Sequence, residues 1–94
     1  MSESTHDPRR DSLIEYPCVF PIKVMGLKVE GFVHALTEVA QRFDPEFDAS
    51  TIELRPSSSG KCLGVTLNVH ATSRQQLDAI YMALTHHPMV KVVL

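Results

Sequence analysis

The side chains with the most reactive chemistry in this sequence are two cysteines and five histidines. Cys18 and Cys62 are far apart in the chain and lack the close spacing that thiolate metal sites use. The adjacent pair His86-His87 precedes a proline and has no third ligand nearby, which is typical of a polar turn. His70 has no carboxylate neighbour identifiable in the sequence that would equip it for acid–base catalysis. These residues predict no catalytic residue, no metal site and no bound cofactor.

A second candidate is the segment 55–61, where three serines and a glycine lie between two bases. A phosphate-binding loop needs a second glycine five residues before Gly60, and a helix after it. Arg55 occupies that earlier position, and a strand pattern follows Lys61. The composition therefore favours a hairpin turn flanked by solvated bases. A weaker alternative is an anion site formed by Arg55, Ser58, Gly60 and Lys61.

Length, charge and hydropathy limit what the chain can be. Its 94 residues are enough for one domain, and its net charge of −2 disfavours binding to nucleic acid. No stretch reaches the roughly 18 apolar residues of a membrane helix. The polar residues 1–12 lack the apolar segment of a signal peptide. We therefore expect a cytoplasmic protein without membrane contact, with a disordered arm over residues 1–12 and a single domain over residues 13–94.

The elements that must position these residues follow from the spacing of apolar side chains. Alternating apolar residues predict strands over residues 19–25, 51–55, 62–71 and 90–94, with Gly26 ending the first strand. Apolar residues at three- and four-residue spacing predict a helix over residues 29–43. Ser73 and Gln76 form a capping box that predicts a second helix ending at about Thr85.

Two strand-helix-strand units joined by a hairpin predict an α+β, ferredoxin-like βαββαβ sandwich. Its four-stranded antiparallel sheet has the order 4-1-3-2, with both helices on one face. In strand four, Val90, Val92 and Leu94 should point into the core. The opposite face should carry Lys23, Glu53, Thr66, Asn68, His70, Lys91 and Val93. RNA-recognition domains with this strand order stack bases on aromatic side chains of that face, and this chain has none at the matching positions.

Several stretches of the sequence resemble the YbeD-like family of small bacterial proteins of unknown function. They are residues 15–17, 20–26, 55–61 and 90–94, and the likeness runs from about Asp11 to Leu94. The resemblance implies a fold similar to ACT regulatory domains, which bind amino acids or other small effectors near the first loop, usually at a dimer interface. It also implies a link to lipoate metabolism, because genes of this family often neighbour lipoate-assembly genes.

The sequence contains signals for every element of this fold but no recognisable set of catalytic residues. This combination predicts a non-catalytic regulatory or adaptor domain that acts by binding. In one mode, Gly26, Leu27 and Lys28 hold a small effector at the mouth between strand one and helix one. Gly26 would allow close approach of a ligand to the backbone there.

In the other mode, the chain binds a protein partner through the edge of strand four or through the open sheet face. Lys91 and Val93 are the expected contacts, and either mode allows a homodimer. The rival hypothesis is an enzyme of unrecognised type that uses Lys28, Asn68, His70 or the hairpin bases, which lack the paired groups that would tune them.

Overall fold

The computed structural model describes residues 14–94, so the predicted arm over residues 1–12 lies outside the described part. The four strands are β1 (Cys18–Leu27), β2 (Glu53–Pro56), β3 (Cys62–Ala71) and β4 (Val90–Val93). The helices are α1 (Phe32–Phe43) and α2 (Arg74–Thr85), and a 3-10 turn spans Ala49–Thr51. The sheet order is β2-β3-β1-β4, and all neighbouring strands are antiparallel. This arrangement confirms the predicted ferredoxin-like α+β fold.

β3 shows why the sheet has one buried and one open face. Alternate residues of the strand are buried against the helices: Leu63, Val65, Leu67, Val69 and Ala71. The residues between them are only half-buried on the other side: Cys62, Gly64, Thr66, Asn68 and His70. Successive side chains of a strand point to opposite faces. The alternation in sequence therefore defines a helix face, which carries the core, and an open face, which no helix within the described residues covers.

β1 is longer than the sequence predicts, and Gly26 explains the difference. The strand continues through Gly26 to Leu27, which lies opposite Cys62 of β3. A Cβ atom at Gly26 would lie only 2.6 Å from the Phe32 ring and would also clash with the carbonyl oxygen of Met89. The prediction that Gly26 ends the strand is wrong. Its missing side chain makes room for α1 and for the chain that enters β4.

α1 begins at Phe32 rather than at Val29. Gly31 occupies the N-cap with a φ of 87°, a left-handed conformation that glycine adopts without strain. Val29 consequently lies outside the helix and is 49% exposed, instead of contributing to the core. The connection before the helix is tied to the hairpin, because the Lys28 N–H donates to the Lys61 carbonyl oxygen at 2.9 Å.

α2 begins after Ser73 as predicted, but only one of the two bonds of a capping box forms, because the Gln76 side chain accepts the Thr72 N–H and not the Ser73 N–H. The Ser73 hydroxyl accepts a hydrogen bond from the Gln76 N–H at 3.1 Å, and the helix ends at Thr85. Leu77, Ile80 and Leu84 are buried against the sheet. Neither helix within residues 14–94 is both long and apolar enough to span a lipid bilayer.

A bulge between β1 and β4 reverses the faces predicted for the end of the chain. The register pairs Val24 with Val93, Met25 with Val92 and Gly26 with Val90. Lys91 is therefore an extra residue, which shifts the alternation of side chains by one position. Val93 packs against the core, whereas Val92 and Leu94 are exposed. The predictions of an outward Val93 and of inward Val92 and Leu94 are wrong.

Candidate functional site

The open face carries a broad groove that lies over β1, β2 and β3. Its volume is about 1040 Å³. The residues that line it include Lys23, Met25, Glu53, Arg55, Gly64 and Thr66. No helix or loop of residues 14–94 covers this groove, so its lining side chains are available to another molecule.

Two rows of residues cross the floor of the groove from strand to strand. One row contains Arg55, Gly64 and Met25, and it continues beyond the groove lining to Val92 of β4. The adjacent row contains Glu53, Thr66 and Lys23. Directly opposite residues have Cβ atoms about 5 Å apart, so Arg55 and Met25 stand on either side of Gly64. A Cβ on Gly64 would lie 3.9 Å from the end of Met25, so the glycine leaves a shallow space, here called the Gly64 notch.

The two bases of the groove have no intramolecular partner among residues 14–94. Lys23 and Arg55 make neither an ion pair nor a side-chain hydrogen bond there. Thr66 separates Lys23 from Glu53, and two strand spacings place those residues about 10 Å apart. At that separation water weakens the attraction between the charges. Both cations are therefore free to meet an external anion.

The residues predicted to bind an effector lie at the hairpin end of the sheet and do not line the groove. Gly26 and Leu27 belong to β1, and Lys28 follows them. The Phe32 ring occupies the space beside Gly26, where the sequence predicted a ligand. The hydrogen bond from Lys28 to Lys61 brings this loop together with one of the hairpin bases.

The hairpin predicted as an anion candidate uses several of its backbone amides in internal hydrogen bonds. The Gly60 N–H donates to the Ser57 carbonyl oxygen at 3.0 Å, and the Cys62 N–H donates to the Ser57 hydroxyl at 3.2 Å. The Lys61 N–H donates to the Ser59 hydroxyl at 3.4 Å. Gly60 permits this turn with a φ of 78°. The amides of Gly60, Lys61 and Cys62 are thereby engaged, so the charged groups that could hold an anion here are the side chains of Arg55 and Lys61.

At the other end of the sheet lies a carboxylate–histidine contact that sequence reasoning missed. Asp44, at the end of α1, is only 3% exposed. Its Oδ2 accepts the His70 N–H at 2.7 Å and lies 3.0 Å from His70 Nδ1. Its Oδ1 accepts the Glu46 N–H at 3.1 Å. The expectation that His70 has no carboxylate partner is wrong. The available signal was Asp44 itself, an acidic residue directly after the predicted end of helix one.

Gln76 extends this contact into a network that joins three elements. Its Nε2 donates to the carbonyl oxygens of Phe43 and His70, both at 3.0 Å, and its Oε1 accepts the Thr72 N–H at 2.6 Å. The network holds the end of α1, the end of β3 and the start of α2 together. No serine, threonine or cysteine within residues 14–94 donates to His70, so the pair lacks a nucleophile. Its geometry is that of a structural clasp.

The 3-10 turn beside this clasp holds one rim of the open face. The Ser50 hydroxyl and N–H donate to Asp48 Oδ1 at 2.7 and 2.9 Å, and these bonds lower the pKa of the Asp48 carboxyl from its ordinary value of 3.8. Asn68 Nδ2 donates to the Thr51 carbonyl oxygen at 3.0 Å. Asn68 is therefore engaged in fixing the turn against β3, which leaves it poorly placed for a catalytic role.

The cysteines and histidines do not converge. Cys18 lies opposite Ala71, and Cys62 lies opposite Leu27, so the two free thiols occupy opposite ends of the β1–β3 pair. Within residues 14–94 no three histidine, cysteine, aspartate or glutamate side chains are grouped as metal ligands would be.

Comparison with known proteins places the chain in a family. A family described as protein of unknown function, DUF493, matches residues 11–94. A UPF0250 protein of Leptothrix cholodnii is 60% identical over 87 residues, which cover 93% of this chain and 96% of the relative. A UPF0250 protein of Bordetella pertussis is 56% identical over 87 residues, with the same coverage of both chains.

A solved structure shares the fold. The solution structure of protein HP0495 from H. pylori matches with a TM-score of 0.75 and 17% identity. The match covers 100% of this chain and 94% of that one. At this identity the likeness concerns the fold alone. Together with the family match over residues 11–94, these findings confirm the resemblance carried by the first strand and the hairpin: the chain belongs to the DUF493 family of small bacterial proteins of unknown function.

Proposed function

We propose that this chain is a non-catalytic adaptor or regulatory domain that binds a protein partner over the open face of its sheet. The observation that carries the proposal is the uncovered groove, in which two unpaired cations lie beside exposed apolar side chains. Exposed cations and apolar side chains together are typical of an interaction surface, when they lie on a face that no other element of residues 14–94 covers.

The shape of the groove supports a macromolecular partner over a small effector. Its volume of about 1040 Å³ lies at the upper limit of the 300–1,000 Å³ usual for small-molecule sites, and it is open along the sheet. The mouth between β1 and α1 is filled by the Phe32 ring. These features favour binding over the sheet to binding of an effector beside Gly26.

The open face is also a better surface than the edge of β4. That strand has only four residues, and its pairing with β1 is interrupted by the bulge. A bulge with a lysine in it disturbs the regular row of backbone donors and acceptors that an added strand needs. We therefore assign partner binding to residues of the groove, beside which Val92 lies, and not to Lys91 and Val93 as first predicted.

The test compares partner capture by wild-type chain and by two variants. Thr66→Arg places a long side chain on the floor of the groove, whereas Glu38→Arg changes an exposed position on α1. Proteins cross-linked to the wild-type chain in extracts of its own cells should be lost with Thr66→Arg and kept with Glu38→Arg. Thermal unfolding of both variants checks that they fold. Proteins that remain with Thr66→Arg would contradict the proposal.

A thermal-unfolding screen tests the competing effector mode, including the association with lipoate metabolism. Octanoate, lipoate and single amino acids are the probes. A ligand at 100 times its dissociation constant adds about 2.7 kcal/mol, which raises the unfolding temperature of a domain this small by roughly 10 °C or more. We expect no such rise. A rise abolished by Lys28→Ala but unaffected by Thr66→Arg would replace the proposed partner surface with an effector site.

A further inference from the structure

We infer that the open face recognises an extended, acidic segment of a partner protein, with two carboxylates flanking one apolar side chain. The inference rests on the proposed function and specifies the chemistry of the partner. Three observations carry it: the distribution of charge over the fold, the position of the two free cations, and the Gly64 notch between them.

The strands carry more basic than acidic side chains. Three of the seven basic residues within residues 14–94 lie on strands: Lys23, Arg55 and Lys91. Of the eight side-chain carboxylates in the same range, Glu53 alone lies on a strand. The side chains of the strands are therefore net positive, although the whole chain has a net charge of −2. This charge distribution complements an acidic partner.

Lys23 and Arg55 lie at opposite corners of the groove floor. They are two strands apart and occupy adjacent rows. With a strand spacing of about 4.8 Å and a rise of about 3.4 Å per residue, their Cα atoms are about 12 Å apart. Residues i and i+4 of an extended chain are separated by about 13 Å and point to the same side. An extended segment that crosses the sheet diagonally can thus place one carboxylate over each base.

The apolar position follows from the same geometry. The midpoint of the diagonal lies over β3 between Gly64 and Thr66, and there the Gly64 notch provides space. Residue i+2 of the segment would point into it. Met25 on one side is flexible and polarizable, and the aliphatic stem of Arg55 closes the other side. The favoured pattern is acidic, any, apolar, any, acidic.

A nucleic acid could also be attracted by the two bases, but the face lacks stacking groups. Among residues 14–94, no phenylalanine, tyrosine or tryptophan lines the groove, and Glu53 lies within it. Single-stranded nucleic acids gain much of their affinity from stacking on aromatic rings. The acidic peptide is therefore the occupant that this surface favours.

A peptide-display library of random nine-residue segments, selected on the full chain, tests the inference. Sequences that bind the wild-type chain but not Thr66→Arg should be enriched at least about tenfold in the acidic-apolar-acidic pattern with spacing i, i+2 and i+4. The double variant Lys23→Glu with Arg55→Glu should lose these sequences and select basic ones, because like charges facing each other are repelled. The matched double variant Arg42→Glu with Arg74→Glu, which changes the charge equally on the two helices outside the groove, should still bind them.

The outcomes separate the two proposals. Selected peptides that need Thr66 but carry no carboxylates would overturn the inference and leave the open face as the binding surface. Peptides that bind Thr66→Arg as well as wild type would overturn the proposed surface itself. Failure to select any sequence overturns the inference. The inference would also be overturned if mixed-sequence single-stranded RNA displaced the selected peptides, and if the double variant Lys23→Glu with Arg55→Glu no longer bound that RNA.

Discussion

The two faces of the sheet are built from alternate residues of the same strands, yet they differ in what their side chains touch. On the helix face of β3, Leu67 and its neighbours are completely enclosed. On the open face, Thr66 is half-buried and borders an uncovered groove. We therefore expect the helix face to contribute most of the stability. Open-face positions such as Thr66 should tolerate substitution, unlike Asn68 and His70, which make structural hydrogen bonds. This difference can be tested position by position, because each open-face residue has a buried neighbour.

The largest contrast is expected between Leu67→Ala and Thr66→Ala. Removing most of a fully buried leucine should lower the free energy of unfolding by about 2–5 kcal/mol, because it leaves a cavity. Thr66→Ala removes little buried surface and should cost about 0.5 kcal/mol or less. Urea unfolding of both variants measures the difference. Equal losses at the two positions would mean that the open face is also part of the core.

The next contrast in stability is between Gly26, which faces the core, and Gly64, which faces the open groove. Gly26→Ala places a methyl group against the Phe32 ring and the Met89 carbonyl oxygen, and overpacking of this kind typically costs about 1–3 kcal/mol. At Gly64 the nearest atom to an added methyl group, the Arg55 carbonyl oxygen, is 3.4 Å away. Gly64→Ala should therefore leave the thermal unfolding temperature nearly unchanged. A large loss at Gly64 would show that the notch has a structural role.

A smaller effect is expected at Asp44, where the helix face and the open face are joined. Asp44→Asn replaces one carboxylate oxygen by an NH₂ group, so either the His70 N–H or the Glu46 N–H loses its acceptor. An unpaired buried donor should lower the free energy of unfolding by roughly 1–2 kcal/mol. His70→Ala keeps the backbone N–H that Asp44 accepts and should cost less in the same denaturant experiment. If His70→Ala lowered the free energy of unfolding more than Asp44→Asn, the imidazole ring would contribute most of the stability of this contact.

The smallest effect concerns the rim of the open face and depends on pH. The two hydrogen bonds from Ser50 lower the pKa of Asp48 in the folded state, so the ionised carboxylate stabilises the fold. That contribution is present above the ordinary value of 3.8 and is lost as the pH falls through the lower pKa of the folded state. The midpoint of urea unfolding should therefore be lower for Asp48→Ala than for wild type at pH 6. This difference between the two midpoints should become smaller below pH 3.8. A difference that grows with acidity would contradict this assignment.

The sequence predicts those parts of the fold that depend on local spacing. The alternation over β3 and the capping box of Ser73 and Gln76 each specify one element, and the structure confirms both. The strand order follows from the order of the elements along the chain. The end of β1 and the bulge of β4 could not be predicted in this way, because both depend on contacts between distant segments. Gly26 continues its strand only because Phe32 and Met89 need its space.

The candidate site was less predictable than the fold for the same reason. Lys23, Glu53 and Thr66 lie on the open face, as the sequence predicts. Met25 and Gly64 were not predicted as contacts, because the notch between them becomes visible only when three strands are placed in register. The Asp44–His70 contact likewise joins a helix end to a strand end that are well separated in the sequence.

The excess of basic side chains on the strands also affects how quickly a partner is found. A surface that concentrates cations attracts an acidic segment before contact and turns the two molecules toward a productive orientation. The association rate should then fall as ionic strength rises, while the apolar contact at Gly64 mainly sets the dissociation rate. A small domain with few apolar contacts in its groove would in this way form short-lived complexes rapidly, and that combination suits exchange between partners.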